Sequence, residues 1–451
     1  MEHSKGRVLE GKLVFGSLDA PLEHGCVVTE GERIAWVGSR DALPRQYAGR
    51  EWERINLPGR TIMPGLIDGH THISFGEARS EEELALYTPV EFRTLKAVWN
   101  ARKVLQAGVT SAFDAATTYN IAQSVRDAID SGMFEGPRFA VSGKQLTSHQ
   151  GLEDSFPNEM EFPPGQAGVL VGSASDIVQK IRYQVKDGVD AIKVSGSNDS
   201  LITPDSLDGA AFTDEEFALV AKEAHRLGRI CTVHARSRDA IIAAAKAGFD
   251  MIYHASYIDE EGIEACLKSG SIICPTLPLL TNILEACDGK HSGLMDALQR
   301  EYEAARTNLP RAYRAGIPFV QGSESGWSPI PYGHWHAREM EIFVKDFGFS
   351  TLEAIHAGTL APTRVLRRFG HEVGKLEAGR YADLLVIDGD PTVDITVLQK
   401  PSRFDFIFKS GKPVDRTPAQ PRQVMHYEKH KIFLNGLYQY DQDTGKGRLL
   451  A

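Results

Sequence analysis

The spacing of apolar positions changes character twice along this chain. Up to residue 60 it reads as short strands broken by turns, at 7–9, 25–29, 33–37 and 60–63, punctuated by Glu30-Gly31-Glu32 and Gly38-Ser39. From Thr61 onward, apolar strand-like runs alternate with longer amphipathic stretches, such as 92–106 ahead of Gly108-Val109-Thr110-Ser111-Ala112-Phe113-Asp114. Strand candidates fall at 63–68, 110–114, 138–142, 191–194, 230–234, 251–254, 272–275 and 318–322, with helix-like segments between most of them. Eight strands in βα grammar predict an α/β fold, a parallel (β/α)8 TIM barrel. After Leu366 the short-strand pattern returns. Gly374-Lys375-Leu376-Glu377-Ala378-Gly379-Arg380-Tyr381-Ala382-Asp383-Leu384-Leu385-Val386-Ile387-Asp388-Gly389-Asp390-Pro391 reads as a turn, a buried strand and a second turn, and 404–408 with 412–414 reads as a hairpin.

Composition changes this picture little. Apolar residues make up 42% and charged residues 24% of 451, ordinary for a globular protein, and one barrel plus a smaller domain fits the length. The net charge of −10 is spread along the chain, which argues against a nucleic-acid partner. Five cysteines (Cys26, Cys231, Cys266, Cys274 and Cys287) lack CxxC spacing and suit a reducing compartment. Met1-Glu2-His3-Ser4-Lys5-Gly6 has no apolar leader core, and no apolar run approaches the ~18 residues of a membrane span. The chain therefore reads as cytoplasmic, with no membrane partner.

Chemistry enters at residues 61–72, where Thr-Ile-Met-Pro-Gly-Leu-Ile-Asp ends in Gly-His-Thr-His. Side chains on a strand repeat every second residue, so His70 and His72 leave one face together and can converge on one ion. This stretch resembles the first-strand motif of the amidohydrolase superfamily, in its imidazolonepropionase-like and prolidase-like branches. The 374–391 segment is similar to that family's return to a small β-sandwich. The resemblance implies a discontinuous small β-sandwich from 1–62 and 367–451 around a metal-dependent barrel at 63–366, with hydrolysis of amide, ester and related bonds.

Lys193, in Asp190-Ala191-Ile192-Lys193-Val194-Ser195-Gly196, ends an apolar run. A free lysine, with pKa ~10.4, is a cation and cannot ligate a metal unless depressed or covalently changed. The resemblance implies a carbamylated Lys193 bridging two divalent ions, zinc first, with cobalt or manganese serving similar geometry. His234 and His254 each end an apolar run one βα unit apart. Either alone reads as a packed core histidine; the resemblance makes them the strand-five and strand-six ligands beside His70, His72 and Lys193.

At the eighth strand the sequence departs from the family. Where relatives place an aspartate, this chain has Val320-Gln321-Gly322-Ser323-Glu324-Ser325-Gly326, with Glu324 in register. A glutamate oxygen reaches ~1.5 Å farther, so three roles stand open: ligand and general base, action through a water, or a structural part. Beyond it, Pro331-Tyr332-Gly333-His334-Trp335-His336-Ala337-Arg338-Glu339 resembles the family's loop-eight segment. On a helix His334 and His336 would diverge by ~200°, leaving one of them, His336, for the substrate. His149, in Gly143-Lys144-Gln145-Leu146-Thr147-Ser148-His149-Gln150-Gly151, follows the third strand where relatives carry a catalytic histidine near the scissile carbonyl. Tyr253, Trp327 and Tyr332 are candidates for an apolar substrate pocket.

These residues imply hydrolysis of a carbonyl C–N bond in a small molecule. The departure at Glu324 together with Tyr-Gly-His-Trp-His-Ala-Arg-Glu looks more like the phenylurea and molinate hydrolase subgroup, acting on neutral ureas and thiocarbamates. An Xaa-Pro dipeptidase or metallocarboxypeptidase would need a cationic clamp, for which Arg236 and Lys144 are the candidates. A lactonase or esterase could use the same metals, and a non-catalytic metal-binding scaffold is the reading from another class. The family resemblance also implies assembly as a homo-oligomer.

Overall fold

Continuous apolar runs are what strands buried on both faces require, and they form two parallel sheets here. The computed structural model describes residues 6–199, 209–286 and 293–417, with the strands Tyr438–Asp441 and Lys446–Leu449. Cys287, Met1 to Lys5 and most of the segment after 417 lie outside the described residues. Leu66–Thr71, Val109–Asp114 and Arg138–Val141 pair in parallel as one three-stranded sheet. Ala191–Ser195, Ile230–Ala235, Met251–His254 and Ile272–Cys274 pair in parallel within a six-stranded one. Parallel bridges extend both sheets, at Ser142 with Ala191, Ile273 with Phe319 and Thr71 with Ser325.

The eighth segment departs from the expected regular strand. It is held by single bonds, Val320 N–H to the Ile273 carbonyl at 2.9 Å, Gly69 N–H to Gln321 at 2.9 Å, and Glu324 N–H to His70 at 2.8 Å. Two glycines permit this approach: a Cβ on Gly322 would stand 2.6 Å from Cys274 Sγ, and one on Gly69 would stand 2.8 Å from the Gln321 carbonyl. A further difference is the pair of short strands Gln145–Thr147 and Gly168–Leu170, inserted beside Ala191–Ser195. Turn-rich sequence between them hides their pattern.

Helices cover these sheets with an apolar face. Arg238–Ala247 buries Ile241, Ala244 and Ala245 and stops at Gly248, whose φ of +86° suits glycine. Asp214–Arg226 and Thr351–Ala357 begin with capping boxes built on Thr213 with Glu216 and Ser350 with Glu353.

Both ends of the chain meet in one seven-stranded mixed sheet, ordered Lys412–Pro413, Phe404–Lys409, Leu384–Ile387, Trp52–Pro64, Gly6–Leu13, Leu22–Glu30, Arg33–Ser39. Leu385 pairs with Met63, so the late strand lies against the segment that leads into the parallel region. Leu9, Val27, Ile62, Leu384 and Phe408 form its shared core. Arg138 and Asp383 form a buried ion pair between the two regions. No helix among the described residues is long and apolar enough to cross a membrane.

Candidate metal centre

Because parallel strands end on the same side, residues distant in sequence meet at their carboxyl ends. His70 and His72 do so with their Nε2 atoms 3.1 Å apart, which leaves the Nδ1 of His70 facing Glu324. His72 donates Nδ1–H to the Ala116 carbonyl at 3.0 Å, which leaves its Nε2 with a free lone pair. The rings of His234 and His254 lie 4.4 Å apart, and that of His70 lies 5.6 Å from His254.

Glu324 closes this group. Its carboxylate stands 3.7 Å from His70 Nδ1, 3.7 Å from His72 Nε2 and 3.8 Å from His254 Nδ1. Four successive strand-end residues take left-handed backbone, His254 at φ +70°, Ala255 at +55°, Thr276 at +55° and Glu324 at +61°. Such conformations cost ~1–3 kcal/mol each for residues with a Cβ and persist where the surroundings over-determine them. Thr276 Oγ1 lies 2.6 Å from His254 Nδ1 and fixes that ring.

Burial keeps three of the imidazoles neutral. Burial pushes His70, His234 and His254 well below the ordinary histidine range, with Lys193 or Arg236 adding repulsion. Burial alone would raise the Glu324 carboxyl, but hydrogen bonding and charge from His72 and the nearby Arg236 guanidinium bring it below its usual value. Lys193 is fully enclosed, its Nζ 3.7 Å from the centre of the Tyr253 ring, and burial lowers its amine to about 7 against the pull of Glu324.

Neutral imidazoles around a carboxylate form a donor set suited to a divalent ion. His70 Nδ1, His234 Nε2, His254 Nε2 and Glu324 Oε2 are all buried without a hydrogen-bond partner. An unsatisfied buried polar atom costs ~1–3 kcal/mol, so four together call for a ligand. Ligand atoms of His70, His254 and Glu324 lie within 4.8 Å of one another, as a shared ion needs.

A cavity of about 560 Å³ opens onto this group. His70, His72, Lys193, His234 and Glu324 form its floor, while Phe75, Phe156, Met160, Leu279, Ile283 and Trp327 give it an apolar wall. The expected substrate residues stand elsewhere, apart from Trp327. His149 is 71% exposed and faces Asp154 at 3.4 Å, because its loop turns outward after Gln145–Thr147. Tyr253 packs beneath the floor with its ring 4.0 Å from that of His70. Tyr332 donates its hydroxyl hydrogen to the His72 carbonyl and accepts Gly76 N–H, so it braces the ligand strand from behind.

His336 is also spoken for. Its Nε2 accepts Gly333 N–H at 3.0 Å, and its Nδ1–H donates to Asp68 Oδ2 at 2.7 Å. The other Asp68 oxygen accepts His70 N–H at 3.1 Å and Ser323 N–H at 3.0 Å, tying the first and eighth segments together. Glu339 accepts Gly322 N–H at 2.6 Å and Leu277 N–H at 2.9 Å in the same manner. Sequence reasoning overlooked this role of Asp68, although its place two residues before His70 was a signal. His334 is exposed, in turns that precede the helix Arg338–Phe347. Neither clamp candidate lines the cavity: Arg236 pairs with Glu301, and Lys144 donates to the Pro164 carbonyl at 2.6 Å.

A metal-suited cluster at the carboxyl ends of parallel strands matches what whole-chain comparison finds. Residues 61–414 match the Amidohydrolase family, and the chain belongs to it. It is accordingly a hydrolase of C–N bonds. Residues 25–49 match an imidazolonepropionase-like composite domain of bacteria. Ochratoxinase from Aspergillus niger is 27% identical over 429 residues, covering 91% of this chain and 87% of that protein. The crystal structure of A. niger ochratoxinase superposes with a TM-score of 0.81 at 26% identity, over 91% of this chain and 96% of that one. A Xaa-Pro dipeptidase with bound methionine gives 0.79 at 24%, over 90% and 99%. Molinate hydrolase gives 0.76 at 23%, over 93% and 99%. The last two likenesses show the fold alone.

Proposed function

We propose that the chain is a metal-dependent amidohydrolase cleaving a carbonyl C–N bond of a small molecule, and that the parallel strands close as a (β/α)8 barrel bordered by a small β-sandwich domain from both chain ends. The observation that carries the reading is the set of four orphaned atoms on His70, His234, His254 and Glu324, three of which residues (His70, His234 and Glu324) line the cavity. His70, His72, His234, His254 and Glu324 would hold divalent ions, zinc foremost, with Lys193 as a carbamate between them. When bound, the ions supply Lewis acidity and bring a water's pKa toward neutrality. Glu324 takes the proton from the attacking water and returns it to the leaving nitrogen. Lys193, with its amine near neutral, has the uncharged form that reaction with carbon dioxide requires. The apolar wall desolvates and orients an aryl or alkyl group beside the scissile bond.

Ureas, carbamates or thiocarbamates and amides share this chemistry, with phenylureas favoured by the loop-eight sequence. The placement of Arg236 and Lys144 supports a substrate without a free carboxylate. Ochratoxin, which the name of one relative indicates, belongs in the same panel. The test is a metal-reconstituted screen of phenylureas, thiocarbamates, ochratoxin and aryl-capped dipeptides, with elemental analysis alongside. Stoichiometric metal and turnover of one class are expected. Metal-free, inactive protein after reconstitution would refute the reading.

A further inference from the structure

Besides the metal group and the apolar side chains, the cavity lining holds acids, among them Glu81, Glu153 and Asp199. Glu153 is only 5% exposed, and its Oε1 accepts a hydrogen bond from Gln145 Nε2, while Oε2 is buried without a partner. Gln166 holds the neighbouring acid, donating to Glu81 Oε2 at 3.0 Å and to the Glu153 carbonyl at 2.9 Å. Two inserted strands, Gln145–Thr147 and Gly168–Leu170, carry this scaffold to the cavity.

An enclosed carboxylate oxygen with an empty acceptor site is costly unless a donor or cation reaches it. Burial pushes Glu153 up to about 7 and Glu81 upward, each repelled by neighbouring acids. The nearby Lys144 and Lys193 offset this only in part. Lys144 is turned to Pro164, and Arg79 makes a two-pronged contact with Glu83 at 2.8 and 3.0 Å. Among the described residues the three acids do not form a cluster tight enough for a metal ion, which the histidine and Glu324 group does. An ammonium on a short carbon stem would satisfy Glu153 while its apolar part faces Trp327 and Phe156.

We propose that Glu153, with Glu81, forms a subsite for a protonated amino group of the substrate, placed beside the scissile C–N bond; Asp199 next to them already faces the Arg236 guanidinium at 3.9 Å. This rests on the hydrolytic reading and, within it, favours amides that carry a free amine over the neutral phenylureas that the loop-eight sequence suggests. Glu153 sets specificity and takes no part in bond cleavage.

The test compares leucine para-nitroanilide with its N-acetyl derivative on metal-reconstituted full-length protein. A charged, desolvated contact predicts a kcat/KM ratio of ~10 or more in favour of the free amine, expressed chiefly in KM. Glu153→Gln should abolish that preference, and Glu153→Asp should restore part of it. If circular dichroism shows Glu153→Gln unfolded, Glu81→Gln serves for the same ratio. Equal turnover of both anilides, or a preference that survives Glu153→Gln, would overturn the proposal. Calorimetry with phenethylammonium chloride against phenethyl alcohol reads the subsite without turnover. Binding of the cation alone, lost in Glu153→Gln, supports it. No binding of the cation overturns it even where ureas are hydrolysed, whereas cation binding with no C–N turnover refutes only the hydrolytic reading.

Discussion

At the scale of single residues, the decisive feature is a buried carboxylate set among imidazoles. Glu324 is held in left-handed backbone, its carboxylate 3.7 Å from both His70 and His72. If it takes and returns the proton, Glu324→Ala should lower kcat by ~10²–10⁴-fold while Glu324→Asp keeps a measurable fraction. Full activity in the alanine variant would remove Glu324 from the mechanism. Asp68 works one layer behind, so Asp68→Ala should weaken metal affinity by ~10–100-fold in equilibrium dialysis. The depressed histidines give a pH signature in metal-free protein. The unfolded chain binds protons below its ordinary histidine pKa of ~6.5, whereas folded His70, His234 and His254 stay neutral, so stability is lost as pH falls from there toward their lower folded values. Denaturant titrations should show up to about 1.4 kcal/mol per pH unit for each imidazole in that window and none from them above pH ~7.5. Because raised carboxyls such as Glu153 contribute the opposite slope in this window, the histidine part is read as the difference from a His254→Gln variant, and no difference between pH 7 and 5 would contradict the neutral cluster.

At the scale of elements, close contact between the first strand and the eighth segment sets the geometry. Leu66–Thr71 and residues 318–325 approach closely because Gly69 and Gly322 lack side chains. Gly322→Ala should force Cys274 and His70 aside, costing ~1–3 kcal/mol in denaturant titration and reducing bound metal. Unchanged metal content would show that the approach is looser than the structure indicates. The histidines and Lys193 were legible because each lies in or just after an apolar strand run within a motif that resembles the family's, and parallel strands end on one side. Glu153, Phe156 and Met160 were not, because a loop residue's position depends on the path of the chain and leaves no period to read.

At the scale of the molecule, the chain's two ends share one sheet and one ion pair. Leu384–Ile387 lies between Trp52–Pro64 and Phe404–Lys409, so it is a central strand formed late in the sequence. Buried Arg138 and Asp383 join that sheet to the parallel strands. Removing Asp383 leaves Arg138 uncompensated, and Asp383→Ala should cost ~3–5 kcal/mol, measured as a lowered denaturation midpoint. A loss below 1 kcal/mol, the ordinary scale of an exposed ion pair, would mean that the pair is solvated.

Periodicity in the chain was enough to determine parallel strands and crossover helices, because hydrophobic spacing is a local property that burial converts directly into structure, while the candidate ligands were read from the family resemblance. Only the tertiary structure decided that His149 faces solvent, that His336 serves Asp68 and that Glu153 reaches the cavity. Those outcomes follow from which hydrogen-bond partners distant segments supply, and no local pattern encodes them.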